Sequence, residues 1–228
     1  MIISNIICIQ IFADDLNTII YDYYYSKINN REWIQGRSST LQGTNRYNYE
    51  ISNISDSDIS TAWVEGVKGD GVGEYVYIPI FRKETNSSFK YNKKNDIKIT
   101  FSIFNGFCKS SELFYKNNRI KTAKITIFVI PMTTAQDGYP SFPYEDEENE
   151  ILLTKVIELK DIIESQTFEE KINIYNSNYQ YDTPFVLLKF EIIDVYKGTK
   201  YDDTCISEIN VYGEYVSDSP ASPAENGR

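Results

Sequence analysis

The sequence predicts an all-β protein, a β-sandwich of the jelly-roll kind. Apolar residues recur at every second position in several separate segments, the period of a half-buried strand. Aromatics are abundant, with 19 Tyr and 12 Phe, and they suit the pleated surface of strands. Turn-rich connections, without alternating amphipathic helices, join the segments as in a sandwich. A chain of 228 residues that is 41% hydrophobic can bury one sizeable core. Its 11 Gly and 7 Pro exclude a collagen-like or low-complexity chain.

In chain order, the first thirteen residues, MIISNIICIQIFA, are apolar and uncharged, and Asp14 and Asp15 follow Ala13. This reads as the apolar part of a secretory signal that lacks its basic start, the alternative being a core strand. The expectation is therefore an exported protein, periplasmic, cell-surface or secreted. Residues 14–32 form an N-terminal extension in which 17–28 is a weak helix candidate. One jelly-roll domain is expected over 33–216.

Within that domain Val76, Ile78 and Ile80 share one face of a strand, and so do Ile97, Ile99, Phe101 and Ile103. Ile125, Ile127 and Val129 repeat the pattern. Residues 156–164 read as strand, then a turn at Lys160 and Asp161. Residues 185–195 are apolar on both faces apart from Lys189, Glu191 and Asp194, as a central strand would be, and 206–212 closes the series. Residues 83–96 and 132–150 read as surface insertions, the second ending in an acidic run that a solvated loop explains. The tail 217–228 lacks apolar anchors and is expected to be disordered. If the signal is removed, Cys108 and Cys205 remain, and each falls in a strand-like segment, so buried thiols are expected rather than a disulfide.

Charge and composition exclude several functions. The net charge is −10 and no basic stripe is present, so neither nucleic acid nor an anionic membrane surface is an expected partner. Beyond the first thirteen residues, no other segment approaches the ~20 apolar residues needed to span a bilayer. Histidine is absent, which removes Ser-His, Cys-His and His-zinc hydrolases, while carboxylate enzymes remain possible.

The densest signal is the stretch 56–74, DSDISTAWVEGVKGDGVGE. Gly66, Gly69, Gly71 and Gly73 describe a folded-back loop that carries Trp63, Glu65, Lys68, Asp70 and Glu74. Trp63 has two readings: a flat face for a sugar ring, or a core anchor beneath the loop. Glu65, Asp70 and Glu74 offer acceptors to hydroxyl groups and Lys68 offers donors. FNGF at 104–107 places Asn105 at a sandwich end, and KNNR at 116–119 places Asn118 and Arg119 before the next strand. Asn suits a diol or simply its own turn, while Arg119 suits a carboxylate, a pair of hydroxyls or an internal salt bridge. YKGTKYDDTCISEI at 196–209 presents Tyr201, Asp202 and Asp203 on a short loop, where adjacent carboxylates need a donor or a cation between them.

These four motifs, in this order and spacing, resemble the bacterial NADase-type glycan-binding domain, a galactose-binding-like or discoidin-like jelly roll, over about 33–212. The resemblance implies a non-catalytic module whose end loops bind a glycan or glycoconjugate. It also implies that Asp56, Asp58 and Glu208 could help hold a structural calcium, although no cofactor is required for binding. Here the usual glycine after the first Asp is Ser57. An adhesion module for a surface protein, drawing on the Tyr-rich 21–25, is the alternative function. A glycosidase pairing Glu65 with Asp203 is a third. The binding reading requires that the separated motifs meet on one rim and leave a polar hollow there.

Overall fold

A computed structural model describes residues 36–44, 46–83, 96–134, 140–141, 150–174 and 183–216. The expected signal, N-terminal extension, helix over 17–28 and tail lie outside these residues, as does most of both insertions. The strands are β1 (Gly36–Arg37), β2 (Trp63–Val64), β3 (Tyr75–Arg82), β4 (Ile97–Asn105), β5 (Arg119–Thr134), β6 (Pro140–Ser141), β7 (Glu150–Glu158), β8 (Gln166–Ile172), β9 (Thr183–Tyr196) and β10 (Cys205–Tyr215). Among the described residues one α-helix, α1 (Ser111–Lys116), joins β4 to β5, and a 3-10 turn spans Ile51–Ile54.

Two antiparallel layers result. One runs β1-β3-β9-β5-β7, with β6 paired to the far end of β5. The other runs β8-β4-β10, with β2 added to β10. A short parallel contact between β3 and β10, Phe81 with Tyr212 and Arg82 with Gly213, stitches the layers together. The expected all-β sandwich is what forms.

The alternation seen in the sequence builds the core. Val76, Ile78 and Ile80 of β3 join Ile125, Ile127 and Val129 of β5 and Val186, Leu188, Phe190 and Ile192 of β9. Ile97, Ile99, Phe101 and Ile103 of β4 meet them from the other layer. Each fully buried aliphatic side chain contributes about 1.5–3 kcal/mol relative to exposure.

Two elements escape the alternation. In β8 accessibility alternates, and its pattern is acidic and polar, with Phe168 stacked on Phe101 at 5.0 Å. Its partner on one side is β4, so little of it needs to be apolar. The α1 helix is one short turn and a half, started by the Ser110 hydroxyl, which accepts from the Leu113 amide at 3.2 Å, and closed by Asn117. The segment 159–164 turns as expected after β7. Cys108 and Cys205 are free buried thiols, and burial raises the pKa of both, Cys205 by far the more.

Candidate functional site

The motifs do meet at one end of the sandwich. The Glu65 amide donates to the Thr204 carbonyl at 3.2 Å, and the Thr204 hydroxyl donates to the Asp70 carbonyl at 2.6 Å. The Asn118 amide donates to the Asp203 carbonyl at 3.0 Å, and the Gly106 amide to the Cys205 carbonyl at 3.0 Å. Lys197 and Asp70 form an ion pair across the same rim. Pieces of chain from 65 to 205 are thereby locked side by side.

Five of the expected contact residues, however, are buried in this framework rather than presented to solvent. Trp63 is 0% exposed, and its indole N–H donates to the Ser39 carbonyl at 3.0 Å. Of its two readings the core anchor is the one the fold uses. Glu65 is also 0% exposed. Its Oε1 accepts from the Thr204 amide at 3.2 Å and its Oε2 from the Val67 amide at 2.8 Å. Burial first, with Asp203 and Glu74 adding to it, pushes Glu65 up to about 7 against those two amides.

Gly71 shows why the loop needs glycine. Its φ is +67°, and a Cβ there would run into the Glu65 side chain. Asn105 is fully buried and continues the ladder with its side chain. Its Oδ1 accepts from the Ile120 amide at 2.8 Å and its Nδ2 donates to the Ile120 carbonyl at 2.7 Å. Asn118, likewise buried, donates to the Asp202 carbonyl at 2.6 Å and accepts from the Gly198 amide at 2.6 Å.

Arg119 realises the internal salt bridge. Its Nε and Nη2 meet both oxygens of Asp161 at 2.9 and 2.7 Å, and Nη1 donates to the Asn117 and Lys197 carbonyls at 2.9 and 3.0 Å. The guanidinium lies over Phe114 and Tyr115, at 5.3 and 5.5 Å from the ring centres. Gly106, at φ +85°, leaves room for this stack, because a Cβ there would strike Arg119 and Phe114. The polar hollow expected around these side chains is therefore filled by the side chains themselves: the motifs meet on one rim as required, the required hollow is not there, and only the outer edge of the rim is left to meet a ligand.

What faces outward is a smaller set. Lys68, Tyr201 and Asp202 are exposed, and Asp70, Glu74 and Asp203 are half-buried. Glu74 accepts from the Ser38 hydroxyl at 2.6 Å and from the Ser39 hydroxyl. Burial, then the neighbouring Asp202, raises the Asp203 pKa. Sequence reasoning passed over Tyr47 and Tyr49, whose rings lie nearly parallel at 6.5 Å on this rim. Their Tyr-x-Tyr spacing, with Gly43 nearby, was the available signal of an aromatic edge beside a turn.

The metal question turns on Glu208. It is 3% exposed, and both its carboxylate oxygens are buried without a hydrogen-bond partner. Burial first, then the Asp56 carboxylate and more weakly Asp58, push it up to about 7. The Ser57 amide lies near enough to favour the charge but closes no bond of normal geometry. Asp56 and Asp58, by contrast, shape their own loop. Asp56 accepts from the Asp58 amide at 2.8 Å and the Thr61 hydroxyl at 2.7 Å, and Asp58 from the Ser60 amide at 2.8 Å. Ser57 takes φ +63°, the left-handed turn that glycine would otherwise supply. No cluster of three acidic, His or Cys side chains among the described residues converges to hold a metal. Of the three expected ligands, Asp56 and Asp58 are engaged as loop formers, and Glu208 is the one whose oxygens would be left to hold a calcium. When bound it would supply the positive charge that this carboxylate lacks.

The two-layer antiparallel sandwich, with the four motif segments gathered at one end, has the architecture of a galactose-binding-like, discoidin-like domain. The chain belongs to the NAD glycohydrolase translocation F5/8 type C domain family, which matches residues 24–212. Among solved structures it is similar to the mycobacterial arabinofuranosyltransferase AftD, at 10% identity and a TM-score of 0.40, over 84% of this chain and 12% of that one. It is also similar to a CBM4 structure, at 12% identity and TM-score 0.29, over 70% of this chain and 82% of that one. A carbohydrate-binding module specific for non-crystalline cellulose, CBM28, is similar at 10% identity and TM-score 0.28, over 76% and 94%. Likenesses this distant carry no argument about ligand. Among curated proteins none matches. No helix among the described residues is long and apolar enough to cross a membrane.

Proposed function

We propose that this protein is an exported, non-catalytic carbohydrate-binding module that meets glycan hydroxyls with the loops at one end of its sandwich. The observation that carries this reading is the convergence of the 65–72, 116–119 and 197–205 segments through Glu65, Asn118 and Lys197. Buried Trp63, Glu65, Asn105, Asn118 and Arg119 make that end rigid, so little conformational entropy is lost when a ligand docks. Lys68 supplies donors, Asp70, Asp202 and Asp203 supply acceptors, and Tyr201 supplies an apolar face with a hydroxyl at its tip. Membership of a family described by translocation supports a role outside the cytoplasm.

A glycosidase is not supported by this geometry. Glu65 is enclosed and both of its oxygens already accept amides, so it is not offered to a glycosidic bond. One shallow rim of this kind binds weakly, and several copies on a surface would act by avidity. Glycan-array screening followed by calorimetry on the folded protein tests the proposal. Saccharide binding that weakens in an Asp203→Asn, Lys68→Ala variant is expected. A monodisperse protein that binds no glycan on the array would end it.

A further inference from the structure

The rim carries aromatic groups that the polar reading leaves without a task. Tyr47 is 58% exposed and Tyr201 is 39% exposed, although both belong to segments pinned by backbone hydrogen bonds. Tyr47 and Thr44 exchange amide-to-carbonyl bonds at 2.8 and 3.2 Å, which fixes the turn behind the ring. Tyr49 is parallel to Tyr47 and, like Leu41 and Phe107, packs against the small cluster of Ala62, Val64 and Cys205. The Tyr201 amide donates to the Lys116 carbonyl at 2.9 Å, and the Lys200 ammonium sits 5.0 Å from the Tyr201 ring centre. The Tyr49 carbonyl accepts from the Val64 amide, Tyr49 packs on the cluster that holds Cys205, and the Cys205 thiol donates to the Asp203 carbonyl at 3.8 Å, which brings the Tyr47–Tyr49 edge beside the 201–203 loop. Stacking faces held rigidly beside a carboxylate and an ammonium are the elements a pyranose meets. Its C–H face lies on a ring, and its hydroxyls donate to the acid or accept from the amine.

We propose that Tyr47, Tyr49 and Tyr201 form an aromatic platform for an uncharged saccharide, with Asp203 and Lys200 bonding its hydroxyls. This rests on the carbohydrate-binding reading above and adds both the residues and the ligand class. The ligand is uncharged because Asp202 and Asp203 stand side by side at the platform edge. A sialic acid or uronate carboxylate brought there meets two carboxylates against the Lys200 ammonium that already serves the hydroxyls, and no guanidinium fork receives it, Arg119 being buried and occupied by Asp161. Tyr is also suited to the task by its small loss of rotamer freedom on contact.

The test measures the full chain against printed neutral hexose and N-acetylhexosamine oligosaccharides and against their sialylated counterparts. Wild type is compared with Tyr47→Ala, Tyr201→Ala and the control Val156→Ala, an exposed residue on β7 away from the rim. Thermal melts confirm that each variant is folded. The proposal expects binding to the neutral series over the sialylated one. It also expects a loss of about tenfold or more in each tyrosine variant, and none in the control. Wild-type binding that both tyrosine variants keep, or that favours the sialylated series, overturns the platform while leaving carbohydrate binding intact. Absence of binding to either series overturns the carbohydrate reading itself, and the platform with it.

Discussion

The Glu208 carboxylate sets up a measurable conflict between a proton, a cation and nothing at all. Its pKa is pushed up to about 7 from an ordinary value of 4.5. At ~1.36 kcal/mol per pKa unit, holding the charge above neutrality without a counter-ion costs about 3 kcal/mol. The sign follows from proton binding. Between those two values the folded protein binds more protons than the unfolded chain, so this group's contribution falls as pH rises toward 7 and is flat above it. At pH 8 in chelator, Glu208→Gln should therefore be more stable than wild type by up to about 3 kcal/mol, the unpaired amide keeping part of the penalty. For a domain of this size that is roughly 6–12 °C in Tm. Adding calcium should reverse the order. Wild type gains about 2.7 kcal/mol at a calcium concentration a hundred times Kd, and the variant gains almost nothing. Scanning calorimetry with chelator and with calcium reads both effects. Equal calcium shifts in the two proteins, or an unstabilised Glu208→Gln in chelator, would refute the assignment of this carboxylate to a cation.

Further outcomes follow from the framework residues. Glu65, also raised to about 7, loses its contribution over the same pH window as Glu208, so stability in chelator should decline from about pH 5 to pH 7.5. On the acid side the salt-bridged Asp194 and Asp96, whose pKa values are lowered, should produce a separate loss as pH falls through the low carboxylate range. A Tm-versus-pH curve with no maximum on the acid side of neutrality would contradict both. Arg119→Met removes the fork to Asp161 and two carbonyl bonds, and should cost about 3–5 kcal/mol by urea unfolding. Gly71→Ala should cost at least ~1–2 kcal/mol by the same assay, because its φ is +67° and its Cβ would meet Glu65. Neither Cys108 nor Cys205 should react with a thiol reagent until the protein is unfolded, and reductant should leave Tm unchanged.

The architecture could be read from the chain because its core strands write their period directly into the sequence. Val76-Ile78-Ile80 and Ile97 to Ile103 needed no knowledge of their partners. β8 was hidden because its alternation is carried by charge, one side being solvated. α1 was hidden because a helix this short leaves only its Ser110 cap and its Glu112–Lys116 pair as evidence. The rim was legible as a place and illegible as a surface. Which side chains it swallows depends on partners far along the chain: Glu65 finds Thr204, Asn118 finds Gly198, and Arg119 finds Asp161. Residue types that donate and accept suit a sugar and suit a buried backbone equally well. Only burial separates the two uses, and burial is a tertiary property.

The strand β10 pairs with β2, β3 and β4 and carries or adjoins Cys205, Glu208 and the Thr204 amide. The clasp it closes joins residues 139 apart in sequence. Neither the seam between layers nor the rim of gathered loops exists until that stretch is available, so folding must complete over long loops and should be slow. Under the proposed export, that delay would keep the chain threadable while its strands are still apart.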